Sequence, residues 1–376
     1  MQTKSRLLRT HSLLWVLTGW VLIAGCSSAP DWAEWDFATF EKPDVNPVLE
    51  AEPGYTFTCP VSGEVVQWQR ADVFNPAAVV RNDTIFLLYR AEDNPGAKLG
   101  GRTSRIGLAT STDGLHFTKH PVPVLYPDSG QFLKYDYPGG CEDPRVVELA
   151  EGGYVMAYTS WNQEVARLSI AFSADLYQWE KKGPAFAAAY NGRFLDQWSK
   201  SGSIITRMRE GRPVAAKIDG KYWMYWGENL VNLAWSTDLE NWYPQLDGEG
   251  ELKAVARPRN RMFDSHLTEC GPPALITPAG IVLFYNGKNA EDDTRDPDIP
   301  PGMYTVGKLV FDTKNPGQLL QRTDIPLLRP TLSHEVTGQY RSGTTFAEAL
   351  VYYRSRWFLY YGTADSYVGV AISVQD

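Results

Sequence analysis

One strand–turn–strand unit recurs five times along this chain, and that recurrence constrains the fold more than any single motif does. Each copy has a short strand, a turn with Gly, Asn or Asp, and a second strand ending in an aromatic and a polar residue. A third strand of the kind IGLATS follows, then a turn built on Asp and another aromatic. The copies begin at Asn75-Pro76, at Glu142-Asp143-Pro144, at AAKIDGKYWMYWGEN, at GPPALITPAGIVLFYNG and at FAEALVYYRSRWFLYYGTAD. Equivalent aromatics fall at Tyr89, Tyr158, Trp226, Tyr285 and Tyr361. Short alternating strands with turn signals between them, and no helix-length amphipathic stretch, predict an all-β fold. Five sheets set radially about an axis leave only short, protected edges. The expectation is therefore a five-bladed β-propeller, with the N-terminal segment completing the last blade.

The first residues carry a different signal. Lys4, Arg6 and Arg9 precede an apolar run from Leu13 to Ala24, too short to span a bilayer at the roughly 20 residues a helix needs. The run ends LIAGC and resembles a bacterial lipoprotein box, with Cys26 as the lipidated first residue of the mature chain. Acyl chains there would hold the protein on a membrane without spanning it. The expected division is a signal peptide over 1–25, a tether over 26–53 and the propeller over 54–376. The expected location is the bacterial cell envelope, lipid-anchored and facing the periplasm or the surface. A formal charge of -8 with no basic patch argues against a nucleic-acid partner. Cys59, Cys141 and Cys270 are expected as buried thiols, the last two near the cavity because each adjoins a selected acid. No metal or cofactor is expected, and the oligomeric state is not legible.

In a propeller the inner strand ends meet at one mouth, so polar residues that break the repeat there should converge. Those places hold Asn75, the run from Arg90 to Asp93, Glu142-Asp143-Pro144-Arg145, Glu228, Glu269, Asn286 and Asp365. Several carboxylates in one cavity repel, so one is driven to keep its proton while another stays ionised. Glycoside hydrolysis needs a pair divided in that way. By contrast Asp113, Asp175 and Asp238, in Ser/Thr-rich turns, are expected only to cap those turns.

Asn75-Pro76, YRAED, SRIGLATSTDGLHF, GG-x-EDPR, ITPAGIVLFYNG and YYGTADSYVGVA together resemble glycoside hydrolase family 130, from about residue 60 to the C-terminus. The resemblance implies a five-bladed propeller acting on β-mannosides, by phosphorolysis in some members and hydrolysis in others. It implies that Asp143 is the proton donor, acting in the phosphorylases through a sugar hydroxyl. Asn75, Arg90, Asp93 and Asp365 would surround the innermost sugar, with Glu142 and Arg145 beside them, and Arg90 would act as a rigid fork of donors. Two departures favour hydrolysis. Asn286 stands where the phosphorylases have a His that holds phosphate, and Glu269 lies where small and basic residues are usual. With Glu228 it makes a pair of acids able to activate water. By the same resemblance Lys200, in WSKSGSIIT, aligns with a phosphate-contacting Lys, which keeps phosphorolysis open. The expectation is an exo-acting inverting β-mannosidase, with β-1,2-linked mannoside oligosaccharides as substrate. The alternatives are a phosphorylase releasing mannose 1-phosphate, a non-catalytic glycan-binding lipoprotein, and another five-bladed sugar hydrolase such as an arabinanase.

Overall fold

The computed structural model describes residues 39–98 and 100–374. The basic and apolar leader, with Cys26, lies outside the described residues. Within them the chain is all-β, with only short helical turns at Leu133–Asp136, Ala189–Gly192 and Ser333–Glu335.

Five antiparallel units of four strands follow one another. The first is Asp72–Arg81, Thr84–Glu92, Ser104–Ser111 and Thr118–Lys119. The second is Gly140–Glu148, Tyr154–Trp161, Ala166–Ser173 and Glu180–Pro184. The third is Ser203–Ile204, Lys221–Trp226, Val231–Ser236 and Tyr243–Pro244. The fourth is Leu275–Thr277, Gly280–Lys288, Tyr304–Phe311 and Leu319–Arg322. In the fifth, Phe346–Tyr353, Arg356–Thr363 and Tyr367–Ser373 are completed by Phe40–Glu41 from the other end of the chain. Residues 40–53, expected as tether, are thus built into the structure. Phe40 packs into one core and Leu49 into another, and the Asn46 side chain bonds both backbone groups of Val370.

The units meet through apolar cores rather than through one closed sheet. Parallel pairing links some neighbours, as at Ser104 with Gly140 and Thr206 with Leu275, but hydrogen bonding divides the strands among separate sheets. Five buried clusters lie between units one and two, two and three, three and four, four and five, and five and one. The period-2 geometry of a strand explains this arrangement. In Thr84–Glu92, Ile85, Leu87 and Tyr89 face the fifth unit, while Phe86 and Leu88 face the second. Strands covered on both faces read as nearly continuous apolar runs, as these do.

The repeat signals each have a structural cause. The five equivalent aromatics are all buried. Under three of them the neighbouring strand carries glycine, because a Cβ at Gly107, Gly307 or Gly369 would meet the ring at 2.5–2.6 Å. Asp113, Asp175 and Asp238 each accept two backbone N–H groups through Oδ1, the turn-capping role expected of them.

Candidate active site

Two first strands slip register at corresponding points. In Asp72–Arg81 the slip falls between Phe74 and Pro76, and in Gly140–Glu148 between Glu142 and Arg145. Asn75 and Asp143 sit at these bulges with φ of 49° and 51°, in a region costing a non-glycine residue about 1–3 kcal/mol. The Pro that follows each has no N–H to offer the ladder, and the bulge re-aims the residue before it. Asn75 Nδ2 donates to Asp143 Oδ1 at 2.9 Å. The fifth unit repeats the device, with a slip between Ala347 and Ala349 around Glu348. Gly362 makes the first bulge possible, since a Cβ there would come within 2.0 Å of Asn75 Oδ1.

One cavity takes side chains from all five units. Asn75 and Arg90 come from the first, Glu142 and Asp143 from the second, and Glu228, with Lys200 ahead of it, from the third. Glu269 lies ahead of the fourth and Asp365 belongs to the fifth. Arg90 pairs with Glu92, Glu142 and Asp143 at 2.7, 2.8 and 3.2 Å. Across the cavity Lys200 Nζ is 4.0 Å from Glu228 Oε1, and Ser201 Oγ donates to Glu269 Oε1 at 2.5 Å.

Burial and crowding divide the acids. Burial pushes the Glu269 carboxyl up to about 8, helped by the charge of Glu228 and resisted by Lys200. Glu142 is raised to about 7, first by burial and then by Asp143, against the pull of Arg90. Asp365 is raised to about 6, again by burial first. For Asp143 burial works in the same direction, but Arg90, Lys200, Arg145 and the Asn75 hydrogen bond outweigh it and hold the carboxyl below its ordinary range. Burial opposes the charge on Lys200, and Glu228, Asp143, Glu142 and Glu269 overcome it and raise its affinity for the proton.

Some expected site residues are not in the cavity lining. Asp93 turns to Arg105, with Nη1 at 2.7 Å from Oδ2, because the guanidinium is the nearer partner on the adjacent strand. Arg145 lies beneath the floor, donating to the carbonyls of Asp143, Cys270 and Gly271 at 3.0–3.2 Å and pairing with Glu348 at 2.9 Å. It braces the Asp143 bulge. Asn286 staples the fourth unit to the fifth, exchanging hydrogen bonds with the N–H and carbonyl of Ala347. Cys141 and Cys270 are buried in the cores and do not line the cavity, because their side chains alternate away from those of the adjacent acids.

Sequence reasoning missed the aromatic wall of Phe74, Trp161, Trp198, Tyr304, Tyr340 and Phe346. Only Trp198 had a signal, two positions before Lys200 in a polar stretch. The others look like ordinary strand or loop aromatics. Glu348 was missed as well, since its bulge has no Pro to mark it.

Residues 41–376 match the family profile of glycoside hydrolase family 130, described as "beta-1,4-mannooligosaccharide phosphorylase". A curated relative, 1,2-beta-oligomannan phosphorylase of Thermoanaerobacter sp. (strain X514), is 32% identical over 311 residues, covering 81% of this chain and 91% of its own length. A solved glycosyl hydrolase from Bacteroides ovatus superposes with a TM-score of 0.87 at 48% identity, covering 92% of this chain and 95% of that one. Another solved structure matches with a TM-score of 0.88 at 50% identity over 90% of this chain and 94% of that one. It is described by the words "The GH130 family of mannoside phosphorylases contains glycoside hydrolases that target beta-1,2 mannosidic linkages in Candida mannan". The chain belongs to glycoside hydrolase family 130.

Proposed function

We propose that this protein is an exo-acting, inverting β-mannosidase that hydrolyses β-1,2-linked mannosides on a five-bladed β-propeller. The observation that carries the reading is that Glu228 and Glu269 line the same cavity as Asp143, while both cations of that lining already face carboxylates. A phosphate dianion would enter a cavity with five carboxyl groups and two cations and, among the described residues, no histidine. Water meets no such repulsion. The β-1,2 linkage is supported by the two relatives above whose names carry it, the 1,2-beta-oligomannan phosphorylase and the solved structure described as targeting beta-1,2 mannosidic linkages. The radial arrangement is supported by apolar cores between each unit and the next, including the fifth and the first. A pocket whose Asn75, Arg90 and Asp143 are buried suits the end of a glycan.

In this mechanism water attacks the anomeric carbon from the face opposite the leaving oxygen, and the glycosidic C–O bond breaks. Water gives its proton to Glu228, and the leaving oxygen receives one from Asp143, directly or through a substrate hydroxyl. Burial first, then the charge of Asp143, raises the Glu142 carboxyl to about 7, so a proton is held beside the donor. Glu269, protonated at neutral pH, is the neighbour rather than the base. Attachment to the cell envelope through a lipidated Cys26 is part of the same proposal.

The test is incubation with β-1,2-mannobiose with and without phosphate. Free mannose in phosphate-free buffer is expected. Mannose 1-phosphate formed only with phosphate would establish the phosphorylase, which the presence of Lys200 in the lining favours as second reading. Binding without any product would leave a glycan-binding protein.

A further inference from the structure

We infer that Trp198 is the positioning residue for Glu228, its indole N–H occupying Oε2 so that Oε1 is the oxygen that takes the proton from water. This inference rests on the hydrolytic reading above.

The backbone around Glu228 is held without help from its side chain. Gly227 has φ +126°, and a Cβ there would fall 2.1 Å from the Leu230 carbonyl oxygen. Its N–H donates to the Lys200 carbonyl, and its own carbonyl accepts from the N–H of Cys270. The Glu228 side chain is different. It is 27% exposed, so packing alone does not select its rotamer, and a loose carboxylate makes a poor base. The indole N–H of Trp198 donates to Oε2 at 2.6 Å, a short charge-assisted contact. Indole is a donor only, so it favours the ionised carboxylate and cannot itself accept a proton from the reaction. Among the described residues Oε1 faces Lys200 Nζ, at 4.0 Å, and is left with capacity to accept from water.

The donor is itself held. Trp198 is 44% exposed, yet its ring packs edge-to-face on Trp161 with centroids 5.7 Å apart. The Trp161 indole N–H in turn donates to the Gly100 carbonyl at 2.9 Å. A large half-exposed indole at a cavity wall also has the form of a sugar-stacking surface, and the experiment separates the two roles.

Trp198→Phe keeps an aromatic wall and deletes the N–H. With β-1,2-mannobiose in phosphate-free buffer, kcat is expected to fall roughly ten- to a hundredfold with KM little changed, as for a group displaced by about an ångström. Lys200, Glu269 and Tyr304 also face Glu228 and are unaltered in the variant. An unchanged melting transition and a larger loss in Glu228→Gln complete the expected result. A variant with wild-type kcat, or with only KM raised, overturns this inference alone. A wild type that turns over only with phosphate overturns the hydrolytic reading and this inference with it.

Discussion

The two walls of the cavity hold their acids by different means. On the wall from the first two units, Arg90 is clamped by three carboxylates at 2.7–3.2 Å, and Arg145 braces the bulge from below. On the opposite wall Glu228 and Glu269 share one Lys200, and among the described residues Trp198 donates to the first carboxyl and Ser201 to the second. Dense pairing keeps Asp143 ionised in the free protein despite burial, whereas sparse pairing leaves Glu269 protonated at neutral pH. The Arg90 wall thus keeps an ionised Asp143 beside a Glu142 raised to about 7, and the opposite wall keeps its raised carboxyl on Glu269.

The contrast can be broken most severely at its rigid wall. Asp143→Asn keeps shape and hydrogen bonding but cannot supply a proton. Mannose release is expected to fall roughly a thousandfold or more with the melting transition intact. On the other wall, Glu228→Gln is expected to cost roughly a thousandfold in kcat and Glu269→Gln markedly less. Equal losses in the two would mean the pair acts as a unit. Beneath the floor, Glu348→Ala leaves Arg145 as a buried charge without its carboxylate. A loss of about 3 kcal/mol is expected from urea unfolding, and an unchanged midpoint would show that the brace is dispensable.

A subtler test uses pH. The Glu269 carboxyl is raised from 4.5 to about 8 in the folded chain, so between those values the native state holds a proton that the unfolded state has lost. Its contribution to stability is therefore lost as pH rises through that window. Glu269→Gln removes the penalty, and its melting temperature should gain on the wild type from pH 5 to about pH 8 and level off above that. A pH-independent difference would sink the assignment. The smallest effect is expected at Asp93→Asn. This side chain pairs with Arg105 away from the cavity, so kcat/KM should stay within about twofold, as for a residue outside the site.

Much of the site could be read in sequence because bulges leave marks. Asn75-Pro76 and Asp143-Pro144 advertise themselves by the Pro that cannot sit mid-strand, and EDPR lies where the repeat is interrupted. The short edge strands Thr118–Lys119 and Tyr243–Pro244 could not be read, being too brief to show a period. Asp93, Arg145 and Asn286 sit near strand ends, where the repeat pattern and the family resemblance place site residues. Which face a side chain takes at a strand end depends on the exact register, and one residue of slip reverses it. The aromatic wall had no local pattern to betray it, because a Tyr or Trp lining a cavity and one filling a core have the same sequence surroundings.

What the linear chain determined by itself is the repeated unit, its strand period and its Asp-capped turns, all set by interactions within a few residues of one another. The choice of which acids share a cavity fell to the tertiary structure. So did the partners that set their protonation, and the indole that holds Glu228. Those depend on distances between side chains far apart in sequence, and charge coupling and burial take their values only once the units have packed.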